Sequence, residues 1–458
     1  MKRREKNMKK VLSCALALSL LTGGTAFASG YRIPVQSIDS TAKSGANVAS
    51  ASSADAAFDN PAGMSFLPKG WLVEVDGTYL HLTSVKYTDD ISPLRDGHSK
   101  VEDYFIPTLF VVSPEVNNLR FGFSVTTPYG MGKRWTGTGM DNMFPGTYAS
   151  KFELRVTDFN PTVTYALTDK LSIAGGVRLL YASATLANNS DPYTMSQGET
   201  VNRFLDGDTT GYGYNLAIDY KPSKEWNFAA TYRSKVDLNF KGDVLMSGML
   251  DYNTVNPQYP PGSWIPMPGS PYRMKGKVTV IAPAVAALST AYSWDKFTFE
   301  LTVDRTFWSA YNQLNFTYQG GDSPMVSALG LTGPGAPFGP VEKNWKDANA
   351  IRLGLEYNVI KPLTLMAGIC YDQSGAPDST LGFELPDSSA WSFSLGARYA
   401  VTDRLDVGVA ALYDTLASRS VSQDFPSNTN PDPPGETVNG KFSDSDAVLV
   451  TVGIKYRF

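Results

Sequence analysis

Histidine and cysteine are nearly missing from this chain: two of each occur in 458 residues. Cys14 lies in the N-terminal leader, which leaves Cys370 alone, so no disulfide framework and no zinc cluster can be built. His81 and His98 are not accompanied by an HExxH, GxSxG or P-loop string. His81, at the lip of the first strand, is the one candidate for a Ser–His pair, and a structural role is expected for it instead. The chain is therefore read as non-enzymatic, with no cofactor and no metal. Beyond the leader there is no run approaching about 18 apolar residues, which excludes a transmembrane helix. Charged residues make up only 18% and form no basic stripe, which argues against nucleic acid as a partner.

The leader itself is a secretory signal. Lys2, Arg3, Arg4, Lys6, Lys9 and Lys10 precede the apolar Val11 to Leu21, and Ala26-Phe27-Ala28 supplies a cleavage site. Residues 1–28 are thus expected to be removed. Losing six basic residues and Glu5 takes the net charge from −4 to −9.

From Trp71 onward the dominant period is two. In Leu171 to Tyr181, the residues Leu171, Ile173, Val177, Leu179 and Tyr181 share one face, and Ser172, Ala174, Gly176 and Arg178 the other. Trp391 to Val401 and Val448 to Phe458 repeat the pattern. An apolar face against a small or polar face, in strands longer than those of an ordinary sandwich, describes a membrane barrel wall. Connections come in two sizes. Six short polar turns, such as Thr168-Asp169-Lys170 and Thr402-Asp403-Arg404, alternate with seven long loops. Six hairpins plus a first and a last strand give fourteen. The fold class is therefore all-β: a 14-stranded antiparallel transmembrane β-barrel over residues 71–458, both ends on the periplasmic side. Trp71, Trp226, Trp294, Trp391, Tyr165 and Tyr220 are read as an interfacial girdle by the turns. The terminal Phe458 is read as an assembly signal.

Residues 29–70 differ from all this. Ser29 to Leu67 is rich in Ala and Ser and poor in β-branched runs, as befits a small helical hatch (plug) inside the lumen. Asn60, Pro61 and Ala62 sit just before the first strand, where proline can stop a helix and turn the chain.

Three further expectations follow from parity. The face polarity changes within Thr157–Pro161, which predicts a β-bulge. Pro128, Tyr129, Gly130 and Met131 near the end of the third strand lack a ladder donor and weaken pairing, and either a gap in the wall or a simple strand end follows. Arg120, Arg178, Arg233, Lys235, Arg352 and Arg398 point inward, as do Glu74, Asp76, Asp219, Asp237, Glu300, Asp304, Glu356 and Asp406. They either brace the lumen and hatch or, for one or two of the basic residues, meet an anionic headgroup. Apolar loop stretches, Gly248-Met249-Leu250, Trp264 to Met267 and Met325 to Leu331, serve as a landing surface or as a loop cap.

The hatch with Asn60-Pro61-Ala62, the fourteen strands, Val125 to Gly130, Trp345-Lys346-Asp347-Ala348 and Trp391 to Gly396 together resemble the outer-membrane long-chain fatty-acid transporter family (FadL-like), which includes aromatic-hydrocarbon channels. The resemblance covers the whole mature chain. It implies passive uptake of a hydrophobic small molecule, a fatty acid or an aromatic hydrocarbon, across the cell outer membrane of a Gram-negative bacterium. The ligand would bind in the lumen, a mobile N-terminus (Ser29, Gly30, Tyr31, Arg32, Ile33) would shift with the hatch, and the ligand would leave sideways near strand 3. On the fifth strand, the family's fatty-acid transporter has a basic residue after Tyr-Ala, where this chain has Ser183. Further expected partners are outer-membrane lipid and lipopolysaccharide and the barrel-assembly machinery, with the chain acting as a monomer. The alternatives are a general porin or a structural or adhesin barrel.

Overall fold

The computed structural model describes residues 30–91, 93–136, 147–190, 199–251, 253, 256, 258–260, 263–333, 338–424 and 437–458. The signal segment, Ser29 and parts of the long loops lie outside the described residues.

Among the described residues, fourteen antiparallel strands close into one barrel. They are β1 (Leu72–Leu82), β2 (Glu102–Val112), β3 (Leu119–Thr136), β4 (Thr147–Thr168), β5 (Leu171–Ser190), β6 (Glu199–Tyr220), β7 (Trp226–Arg233, resuming as Val236–Asp251), β8 (Tyr272–Ala282, resuming as Val285–Trp294), β9 (Phe297–Thr306), β10 (Ala348–Ile360), β11 (Leu363–Asp372), β12 (Ala390–Ala400), β13 (Leu405–Leu416) and β14 (Asp446–Arg457). β1 pairs with β14 from Leu72↔Arg457 to Leu82↔Ala447, which seals the ring and puts both ends at the short turns. Closure matters because an open strand edge has no hydrogen-bond partner in lipid.

Alternation sets the two faces. Ile173, Val177, Leu179 and Tyr181 are exposed on the outer surface of β5, while Ser172, Ala174, Arg178 and Leu180 are buried in the lumen. The same rule holds for Trp391, Phe393 and Leu395 against Ser392 and Ser394. The outward apolar side chains form the band that meets lipid. Trp391 lies at the loop end of β12, its ring 4.7 Å from that of Tyr371, so it belongs to the extracellular rather than the turn-side girdle.

Three expectations from parity are corrected. β4 has no bulge within Thr157–Pro161: Leu154, Val156, Asp158, Asn160, Thr162 and Thr164 are all buried on one continuous inner face. The lower lumen is polar and the upper lumen apolar, so face polarity switches while parity does not. The bulge lies on β3, where the register shifts between Thr126↔Asp158 and Tyr129↔Val156. On β7 the break after Arg233 turns Val236, Leu238 and Phe240 inward, and Lys235 and Asp237 outward, where they pair at 2.8 Å.

The hatch fills the lower lumen. Its first helix, α1 (Ile38–Ala42), is closed by a capping box between Ser37 and Ser40 and is buried throughout. The wall beneath it is shaved to glycine. A Cβ on Gly368 of β11 would lie 2.2 Å from the Lys43 backbone, and one on Gly396 of β12 would lie 2.4 Å from Ala42 Cβ. A second helix, α2 (Ala56–Asp59), ends at Asn60, and Pro61 opens a 3-10 turn, Pro61–Phe66, that delivers the chain to β1.

Candidate functional site

The inward charges of the wall are directed largely at the hatch. Glu300 of β9 accepts the backbone N–H groups of Val48, Ala49 and Ser50 at 2.7, 2.9 and 2.9 Å. A carboxylate cradled by three consecutive amides is a strong, directional anchor. Asp39 of α1 pairs with Arg398 and, at 2.9 Å, with Lys455. Burial alone would raise its carboxyl, but Arg398, Lys455 and Lys43 outweigh that and hold it well below the usual carboxylate range. Asn60 donates to Val48 O at 2.9 Å and to Asp219 of β6, Pro61 O accepts from Thr164 of β4, and Ala62 O accepts from Ser172 of β5 at 2.7 Å. Asn60-Pro61-Ala62 is thus the knot that ties the hatch to three adjacent strands.

The wall is interrupted beside β3. Its ladder with β2 runs only from Val112↔Gly122 to Leu109↔Val125. Higher up, contact resumes at the Lys100 N–H to Arg134 O bond of 2.7 Å and at the bidentate Arg134–Glu102 pair of 2.8 and 2.6 Å. Between these limits the inner edge of β3 is taken by the N-terminal segment instead. Ile33 N donates to Pro128 O at 2.9 Å, Gly130 N to Tyr31 O at 3.0 Å, and the Gln36 side chain brackets the backbone of Thr127 at 2.8 and 3.0 Å. Pro128 has no N–H to offer a neighbour, and the bulge at Thr127–Pro128 swings the strand inward. Tyr129 reaches across to Pro283 O of the broken β8 at 2.8 Å.

Behind this interruption lies a cavity of about 670 Å³. Its lining takes lumen-facing Ile106, Lys133 and Leu154 together with outward-facing Phe105, Val125 and Arg155, so the space spans the thickness of the wall. Ile33, Pro34 and Val35 of the hatch form its floor side. The walls are mostly apolar, and the volume is that of an ordinary small-molecule site.

Each side chain expected to serve the site is placed as follows. Gly30 donates to Asp387 at 3.2 Å, Tyr31 donates to Ile281 O and packs edge-on to Trp308 at 4.8 Å, and Arg32 pairs with Asp304. Pro128, Tyr129 and Gly130 form the interrupted edge, and Met131 lines the cavity. Arg120 donates to five backbone carbonyls, Met64 and Leu67 of the hatch among them. Arg178 pairs with Asp158 at 2.7 Å, Arg233 stacks over Phe58 at 3.8 Å, Arg352 binds Asp304 and Asp372, and Arg398 holds Asp39. All five are occupied by protein, and Lys235 is outside the lumen. Lys133 was missed: strict parity along β3 puts it outward, and only the bulge reverses it. His81 meets Asp103 at 2.8 Å on the outer surface. In the loops, Met267, Val326, Leu331 and Phe338 pack with Met246 and Met274 into a buried cap, while Ile265, Met325 and Leu329 stay exposed.

A closed barrel with a luminal hatch, an interrupted wall and an apolar cavity at the interruption defines a plugged outer-membrane transport channel. The family described as outer membrane protein transport protein (OMPP1/FadL/TodX) matches residues 19–458, and the chain belongs to it. It is 23% identical over 451 residues to outer membrane protein P1 of Haemophilus influenzae, covering 89% of this chain and 90% of that one. It is 26% identical over 337 residues to a long-chain fatty acid transport protein of Escherichia coli, covering 68% and 69%. In structure it is similar to a Pseudomonas aeruginosa FadL homologue, with a TM-score of 0.77 at 18% identity over 94% of this chain and 100% of that one. It is also similar to the Pseudomonas putida toluene transporter TodX, with a TM-score of 0.68 at 18% identity over 92% and 98%. The protein is an outer-membrane β-barrel of a transporter family, and its named relatives imply a non-enzymatic role.

Proposed function

We propose that this chain is a passive uptake channel for hydrophobic molecules, long-chain fatty acids or aromatic hydrocarbons. The ligand settles in the cavity, the N-terminal segment and hatch move, and the ligand leaves sideways between β2 and β3. The observation that carries this reading is the cavity lined from both faces of the wall at a place where β3 has traded its neighbour strand for residues 31–33. The names of the relatives support the ligand class. A porin reading finds no support in a lumen occupied by the hatch. Cleavage after Ala28, recognition of Phe458 by the assembly machinery, contact with lipid and lipopolysaccharide, and action as a monomer belong to the same reading.

A disulfide tests the gate. Arg32 and Tyr129 are bridge partners flanked by the two bonds of the β3 edge. Such a pair has Cα atoms about 4.5 Å apart, within reach of a disulfide. Arg32→Cys with Tyr129→Cys, oxidised, is expected to stop uptake of a labelled fatty acid and to recover it on reduction, with each single variant as control. Uptake that is equal in both redox states would sink the gating mechanism.

A further inference from the structure

The outer face of β6–β8 changes character above the lipid band. On β6 it reads Tyr220, Ile218, Leu216, Tyr214 and Tyr212, all exposed, and then Thr210, Asp208 and Asp206. The step from Tyr220 to Asp208 covers about 40 Å along the strand, or about 30 Å along the membrane normal at a tilt of about 40°. The apolar band of such a barrel is about 25 Å tall. Asp208 and its neighbours therefore stand just past the band on the loop side, at the level of the outer-leaflet headgroups.

Regular pairing of β6, β7 and β8 fixes who faces whom there. Asp208 lies opposite Lys241, and Lys241 opposite Lys277. On the next outward rung, Asp206 lies opposite Asp243, and Asp243 opposite Lys275. Arg273 is the outward residue of β8 beyond Lys275. All four cations are exposed, and on β7 and β8 they meet one acid at these rungs, Asp243. Asp243 pairs with Lys275 at 2.5 Å, and Asp206 accepts from Thr185 at 2.8 Å. Lys241 and Lys277 are in no ion pair among the described residues, although Asp208 stands across from Lys241. On its far side Lys277 faces Thr317, which brings no charge.

Like charges directly opposite each other on a sheet repel, with Cβ atoms only about 5 Å apart. Two ammonium groups so placed are matched by one oxyanion held between them. A phosphate monoester carries about −1.5 to −2 at neutral pH, enough for both lysines, whereas a phospholipid diester carries a single charge. Lipopolysaccharide presents phosphate monoesters at this height on the loop side of the membrane. We propose that Lys241 and Lys277, flanked by Arg273 and Lys275, dock a phosphate monoester of lipopolysaccharide in the outer leaflet. This rests on the outer-membrane placement and not on the transport route, so it stands or falls apart from the gating mechanism.

The test uses the full chain in mild detergent and displacement of a fluorescent lipid A. The competitors are bisphosphorylated lipid A, the same lipid stripped of phosphate, and phosphatidylglycerol. The bisphosphorylated form is expected to bind at least about fivefold more tightly than the stripped form, a few-fold for each exposed ion pair. Lys241→Gln with Lys277→Gln should erase that preference, while heat-modifiable migration shows an intact barrel. Lys241→Arg with Lys277→Arg should keep it, as should Lys170→Gln with Lys224→Gln on the turn side. The assignment is overturned if the Lys241→Gln, Lys277→Gln variant keeps the preference, or if the turn-side variant loses it. It is overturned equally if the wild type does not distinguish the two forms, or if phosphatidylglycerol competes as well as bisphosphorylated lipid A.

Discussion

Arg120 separates a bracing role from a ligand role most cleanly. It is 1% exposed, and its guanidinium donates to Ser113 O (2.8 Å), Met64 O (2.7 Å), Leu67 O (3.0 Å), Pro68 O (2.7 Å) and Gly70 O (3.3 Å). It therefore clamps the exit of the hatch onto β3. Arg120→Met keeps the length of the side chain and removes every donor. Water can replace the lost bonds at Pro68 and Gly70, which are partly exposed, but not those at Met64, Leu67 and Ser113. Each orphaned buried carbonyl costs about 1–3 kcal/mol, and removing the buried charge returns part of this, leaving a net loss of roughly 3–5 kcal/mol. When the hatch undocks, water reaches all of these carbonyls, so the loss falls on the docked state alone. At about 1.4 kcal/mol per factor of ten, the undocked population rises by roughly two to three and a half orders of magnitude. Single-channel recording should show frequent openings, and protease added from the turn side should cut residues 30–70, while heat-modifiable migration shows an intact barrel. Arg120→Lys, with one compact ammonium, should fall between. A folded Arg120→Met barrel as quiet and protected as the wild type would refute the clamp.

Two more outcomes test the hatch. Gly368→Val places a side chain where the Lys43 backbone now lies, so it should expel α1 and give a leaking barrel of normal migration; a quiet channel would show that the wall yields instead. Burial, reinforced by Asp55, raises Asp59 of α2 to about 8 against the pull of Asn47, Arg233 and Lys43. An acid raised on docking stabilises the docked state most below its free value of 3.8, and that contribution is lost as pH climbs through about 8. Asp387, raised by burial to about 7, has the same sign, while Asp39, held low, acts only in acid. Protection of the hatch from protease should therefore decline between about pH 4 and about pH 8 and level off above that, and Asp59→Asn should flatten the decline; an unchanged slope would assign it to other groups.

Much of this architecture is legible along the chain. The number of strands follows from alternating short and long connections, because a hairpin turn and an extracellular loop differ in length and polarity whatever the strands do. The outer face is legible because lipid demands apolar side chains at every second position. Leu171 to Tyr181 and Trp391 to Val401 therefore read correctly from their letters. The reading fails where the inner face is apolar too. Leu154 and Val156 look outward by composition but pack in the upper lumen, since a dry cavity selects the same residues as lipid. It fails again at Lys235, where a break of two residues reverses the faces of β7.

The sequence by itself determined the barrel, its handing of polar residues to the lumen and the separate character of Ser29 to Leu67. Those properties follow from local periodicity and composition. Tertiary structure alone decided which charges are spent. Arg120, Arg233, Arg352 and Arg398 are equivalent as letters, yet each meets the hatch, far along the chain, and only the closed ring with its hatch brings those partners within reach, while Arg178 is spent on Asp158 of the neighbouring strand. The same holds for Lys133. Its letter is a lysine near a strand end, and it faces the cavity only because one proline-bearing bulge turns the strand over.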